Sequence, residues 1–238
     1  MVTPTWLTAF IDLPARRHEA GAAFWQGVTG YELSSPRGDR GEFATLVPAE
    51  GDPFLRVQRT ADGSAGLHLD LHHPDQEFRV LRSPGGLAYC EVPADLVHRP
   101  PPATWPGGHL SLVDQVCLDI PPSRYDEECA FWAGRTGWQL MDIPTKHEFQ
   151  ALVRPADQPI RILLQRVDDE RPHVTAHFDI GTNDRAAETA RHEALGATVV
   201  RRHEWWTVLR DPTGAAYCIT DRDPRTGMLV RQASSVRA

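Results

Sequence analysis

Two histidines sit in one repeated pattern, His68-Leu69-Asp70-Leu71 and His177-Phe178-Asp179-Ile180. On an extended strand, residues two apart share a face, so each imidazole stands beside a carboxylate. Such a pair serves either as a metal ligand with its supporting acid or as a structural hydrogen-bonded couple. Trp205 and Trp206 are adjacent, so on a strand they face opposite ways and one looks into a cleft or toward a partner. His72-His73 with Asp75 has a metal-like composition but reads as a solvated turn, and Cys117 and Cys129 read as buried small apolar residues. Nothing in the chain has a Ser-His-Asp, P-loop or dinucleotide signature, which removes serine hydrolase, NTPase and Rossmann dehydrogenase chemistry.

The elements that must position these residues are duplicated. Ile11-Asp12, Phe24-Trp25 and Gly30-Tyr31 recur as Leu118-Asp119, Phe131-Trp132 and Gly137-Trp138, followed by Glu42-Phe43 against Glu148-Phe149 and Gln58-Arg59 against Gln165-Arg166. After the histidines, Val80-Leu81-Arg82-Ser83-Pro84-Gly85-Gly86-Leu87-Ala88-Tyr89-Cys90 matches Val208-Leu209-Arg210-Asp211-Pro212-Thr213-Gly214-Ala215-Ala216-Tyr217-Cys218. Between those landmarks the second copy keeps a stretch from about 185 to 203 that the first copy lacks. Its Ala186, Ala187, Thr189, Ala190 and Leu195, closed by Gly196, predict an amphipathic helix, and Thr198-Val199-Val200 a strand after it.

Each copy opens with an apolar, β-rich segment, 7–13 and 113–120, ending at prolines. Helices follow over 18–28 and 125–135, stopped before Gly30 and Gly137. Short strands come next at 42–47, 54–58 and 66–72, and at 148–153, 160–165 and 175–180. The boundaries read as a first domain over 1–92, a proline-rich linker over 93–110, a complete domain over 111–223 and a tail over 224–238. The turns at Ser83-Pro84-Gly85-Gly86 and Asp211-Pro212-Thr213-Gly214 need no functional reading.

This order of elements, with Phe-Trp on the helix, Gln-Arg ending a strand, His-x-Asp on the next and a Pro-x-Gly-x-x-Tyr-Cys close, resembles the glyoxalase-like branch of the vicinal oxygen chelate superfamily. The resemblance covers nearly the whole chain and implies an α+β fold of tandem domains built from paired βαβββ modules, here with a shortened first domain. It places metal-ligand positions at Gln115 or Thr8 on the opening strands and at His68 and His177, with Cys90 and Cys218 in the slots where the family usually carries glutamate. Gln58 and Gln165 fall on cleft-facing strands and, with Trp205, Trp206, Asp70 and Asp179, are the candidate ligand contacts. A divalent ion (zinc, nickel, iron or manganese) is the cofactor implied, but hard ions do not favour neutral thiols, so a full metal triad is not expected.

The charge of −7 and pI near 5.9 argue against nucleic acid or an anionic membrane as partner. Scattered cysteines and the lack of a signal-like start predict a cytoplasmic protein with reduced thiols. The expected function is binding of a small apolar or aromatic metabolite or antibiotic. The alternatives are a divalent-metal-dependent lyase or isomerase acting on adjacent oxygens, and a non-catalytic interaction module. Loss of a helix from the first copy leaves a sheet face that the linker or a second molecule must cover, which predicts a homodimer and makes the second-copy cleft the first place to look.

Overall fold

The computed structural model describes residues 3–229 apart from 62, 64, 94, 95 and 145; of the tail expected over 224–238, residues 230–238 lie outside the described residues. The first half runs β1 (Trp6–Pro14), α1 (His18–Thr29), β2 (Glu32–Leu33), β3 (Phe43–Val47), β4 (Leu55–Thr60), β5 (Gly66–His72), β6 (Arg79–Arg82) and β7 (Ala88–Val92). After β8 (Ala103–Thr104) come β9 (Leu110–Ile120), α2 (Tyr125–Thr136), β10 (Leu140–Asp142), β11 (Phe149–Leu152), β12 (Arg161–Arg166), β13 (Thr175–Thr182), α3 (Arg185–Ala194), β14 (Thr198–Arg202), β15 (Trp206–Arg210) and β16 (Ala216–Thr220). No helix among the described residues is long and apolar enough to cross a membrane.

Both copies make an open mixed sheet, ordered β2-β3-β4-β1-β5-β7-β6 in the first and β10-β11-β12-β9-β13-β16-β15-β14 in the second. In each, the two modules meet along an antiparallel pair, β1 with β5 and β9 with β13. The first sheet therefore lacks the counterparts of α3 and β14, which is the stretch missing from the first copy of the repeat. Helices α1 and α2 each stop at a glycine in the left-handed conformation, Gly30 at φ 71° and Gly137 at φ 69°, where any other residue would be strained.

The helices are exchanged between the halves. Trp25 of α1 packs edge-on against Phe178 and Tyr217 of the second sheet, and its indole N–H donates to Asp211 at 3.2 Å. Phe131 and Trp132 of α2 pack against Tyr89 of the first sheet, while Glu128 accepts from Gly85 N–H and from the Trp132 indole. The face expected to need the linker or a second molecule is thus covered in part by α2. Cover is incomplete: Phe24 is buried beneath α3, with the His192 ring edge-on to it, whereas Phe131 is only half-buried. The linker is not wholly irregular either, since β8 pairs with β9 and Asp52 accepts from the Val97 and His98 N–H groups.

Candidate functional site

Strand alternation sets the concave face of the first sheet. Phe10 lies opposite His68 and Arg56, Thr8 opposite Asp70, and Asp70 opposite Cys90, so these side chains converge. Phe10, Arg56, His68, Asp70 and Cys90, together with Phe43, Gln58, Phe78, Val80 and Val92, line a cleft of about 810 Å³, within the size range of small-molecule sites. Its floor is a stack of the Phe10 and His68 rings, 4.5 Å apart and 10° from parallel. The Arg56 guanidinium sits 5.5 Å from the Phe10 ring and 3.6 Å from Asp70.

His68 is held by a carboxylate that alternation along one strand does not reveal. Its Nδ1 lies 2.9 Å from Asp12 Oδ2, across the β1–β5 pair, so Asp12, not Asp70, is the supporting acid and Nε2 is left to act in the cleft. His177 repeats this with Asp119 at 3.0 Å. Burial pushes the Asp70 carboxyl up, while His68 and Arg56 pull it back. Burial and the neighbouring Asp70 charge push the Cys90 thiol up to about 12. Thr8 is committed to His72, 2.8 Å from its Nε2. The His72-His73 pair is buried rather than solvated, because β5 runs through His72 into the core.

The polar centre of the second sheet is engaged by a cation of the chain's own. Arg222, from the segment after β16, donates to Gln115 Oε1 at 2.8 Å and to Asp114 Oδ1 at 2.7 Å, and the Gln115 amide donates to Asp179. Asp114 and Gln115 are neighbours on β9, yet both face Arg222, because the register with β13 shifts at this point. Gln165 lies on the same face, 3.6 Å from Cys117 Sγ. Trp206 stacks on His203 at 4.4 Å, with Lys146 5.8 Å from its ring; neither it nor Trp205 lines the first cleft. His68 and His177 thus belong to separate sheets, and Gln115 keeps company with His177 alone.

Among the described residues, two groups bring three donors within 4.8 Å of one another: His68, Asp70 and Cys90, and Cys117, His177 and Asp179. The first fits a zinc-type ion, since imidazole, carboxylate and thiolate with an open position suit that metal and Asp70 Oδ1 is buried without a protein partner. It does not suit hard ions, which want oxygen ligands. The second does not fit the family's ion, because Arg222 takes the Gln115 oxygen and the Gln115 amide takes Asp179. Asp12, Phe10, Arg56 and Arg222 were not singled out as site residues by the sequence. The recurrence of Asp12 as Asp119 was a signal for that residue, whereas Arg222 stands outside the repeated landmarks.

Paired modules around an antiparallel seam, with polar residues gathered on each concave face, define a tandem open-sheet fold of the vicinal oxygen chelate class. The sequence profile described as Glyoxalase-like domain matches residues 8–91 and 115–220, and the chain belongs to that family. Its fold is similar to that of a triple mutant of 4-hydroxymandelate synthase from Streptomyces coelicolor, at TM-score 0.57 and 15% identity over 91% of this chain and 93% of that one. A catechol 2,3-dioxygenase aligns at 0.58 and 12% identity over 92% and 88%. The 2,2',3-trihydroxybiphenyl 1,2-dioxygenase of Sphingomonas wittichii strain RW1 aligns at 0.56 and 12% identity over 90% and 88%. No curated protein sequence matches the chain.

Proposed function

We propose that the chain binds a small ligand with a flat apolar or aromatic body and an acidic or hydrogen-bond-accepting group, in the cleft of the first sheet. The observation that carries this reading is the cleft floored by the Phe10–His68 stack with Arg56 at its wall, where the second sheet instead engages Gln115 with Arg222. Phe10, Phe43 and Phe78 supply apolar surface, while Arg37 and Arg56 supply positive charge at the wall. Desolvated against aromatic rings, a guanidinium pairs well with a carboxylate or enolate oxygen. Titration calorimetry against a panel of aromatic carboxylates and phenols, run with a chelator present, tests this. Binding that survives the chelator and weakens at least tenfold in Phe10→Ala and Arg56→Gln, but not in Gln165→Ala, is expected. Binding lost on chelation, or lost in Gln165→Ala alone, contradicts it.

A second reading rests on the His68, Asp70 and Cys90 group. A zinc-type ion held there would polarise a substrate oxygen, with Asp12 orienting His68 from the Nδ1 side. Plasma mass spectrometry of untagged protein beside His68→Ala separates the two readings. A near-stoichiometric ion lost in the variant favours the metal, and its absence after reconstitution with zinc removes it.

A further inference from the structure

Four arginines converge where the linker, the loop before β12, and the segment after β16 meet the start of β9. Arg222 is 6% exposed and grips Asp114 and Gln115. Arg161 stands directly opposite Gln115 across the β12–β9 pair and donates to Gly227 O at 3.0 Å. From the linker, Arg99 donates to Pro224 O and Arg225 O at 3.1 and 3.0 Å, and Arg154 donates to Gln158 O. Three of these guanidiniums find backbone carbonyls but no carboxylate among their described hydrogen bonds. Asp114, with no exposed surface, is the acid that faces the group, and the other charged groups felt by Arg154 and Arg161 are arginines. Tyr31 is the other titratable neighbour of Arg99, and its phenol is raised by burial and therefore neutral.

Guanidiniums do not shed their protons to relieve such crowding, and four half-buried or buried cations facing one carboxylate, Asp114, repel one another. Arg154 feels both effects: burial first, then the charges of Arg99, Arg161 and Arg222 bring it down to about 10. Arg99 Nε, Asp114 Oδ2, Gln158 Oε1 and Tyr31 Oη are also buried without protein hydrogen-bond partners. Two of these are spare donors beside the positive charge, the Arg99 Nε–H and the Tyr31 hydroxyl, whereas Asp114 Oδ2 and Gln158 Oε1 are acceptors that an oxyanion does not use. Planar guanidiniums meet tetrahedral oxyanions with paired N–H groups.

We infer that this arginine cluster is an oxyanion site, taking a phosphate or sulfate group that ties the linker and the segment after β16 to the second sheet. The ligand would come either as the free inorganic ion or as a phosphate carried by a larger molecule, and inorganic phosphate is the probe for the shared chemistry. Thermal melting of the full chain is followed in phosphate, sulfate and chloride at matched ionic strength. A saturable rise in Tm of about 3–6 °C at ten times the dissociation constant is expected in phosphate and sulfate, but not in chloride. Arg154→Gln and Arg161→Gln should lose most of that rise while melting no lower than the wild type in chloride, because each removes one of several mutually repelling charges. Equilibrium dialysis of the wild type against radiolabelled phosphate gives a readout that does not depend on the variants folding, and about one ion per chain is expected. No difference between phosphate and chloride in the wild type, or the full rise retained in both variants, would overturn the assignment. If free phosphate binds, a phosphorylated sugar binding tighter still marks the site as one for a carried phosphate, whereas equal affinity marks it as a site for the ion alone.

Discussion

The two halves share a repeat, a sheet order and a histidine clamped by an aspartate, yet the first concave face has an aromatic-floored cleft and the second holds an arginine of its own at the polar centre. The difference arises at two places. On the first sheet β6 is the edge, and Val80 is 67% exposed at the rim of the cleft. Its counterpart Val208 is half-buried, since β14 continues the second sheet beyond β15. In the middle of the second sheet, Arg222 brings its own cation to the polar centre. A duplicated scaffold can therefore engage the polar centre of one face with a side chain from beyond the repeat and leave the other without it.

Removing Arg222 should be the more damaging change. Arg222→Ala leaves the Asp114 carboxylate buried and unpaired, and a loss of about 3–5 kcal/mol in urea unfolding is expected. Arg56→Ala in the first cleft should cost about 1 kcal/mol or less, because that pair is long and a quarter of the Arg56 side chain is exposed. Asp70, already pushed toward its neutral form by burial, can take up a proton when Arg56 is gone. Equal losses in the two variants would erase the distinction between the clefts.

The exchanged helices allow a second comparison. Phe24→Ala should cost about 3–5 kcal/mol, as it empties a site sealed by α3. Phe131→Ala, half-exposed for want of that helix, should cost about 1–2 kcal/mol by the area it still buries. A cost for Phe131 as large as that for Phe24 would mean that something else covers α2 in solution, a second copy of the chain being the first to test by sedimentation.

A smaller effect concerns pH. Burial, followed by the charges of Arg56 and His73, lowers His72 to about 3, so the native state holds it neutral while the unfolded chain protonates it near pH 6.5. Its contribution is present above pH 6.5 and is lost as the pH falls from there toward 3. His72→Gln, which keeps a partner for Thr8, should flatten that part of the stability profile; an unchanged slope would place the acid sensitivity elsewhere.

Much of the fold was legible because duplication offers two readings of each element. The stretch at 185–203 declared itself as a missing helix and strand, and same-face alternation put His68, Asp70 and Cys90 together once β5 and β7 were adjacent. The partnership of His68 with Asp12 was hidden, since it depends on cross-strand register between residues far apart in sequence. The expectation that the second-copy cleft deserved attention first rested on the helix missing from the first copy. Helix α3 lies on the convex side, packed on Phe24, Tyr217 and the carbonyls of Gly27 and Val28, so its absence does not disturb the floor of the first cleft. Arg222 was illegible because its role depends on where the chain goes after β16.

The central claim, that ligand binding belongs to the first sheet, is tested most directly by a crystallographic fragment screen of the full chain with aromatic carboxylates. The account predicts fragments stacked by Phe10 with their carboxylate near Arg56, and an undisturbed Arg222–Gln115 contact in the same crystals. Fragments seated between His177 and Gln165, with Arg222 displaced and the first cleft unvisited, would contradict it.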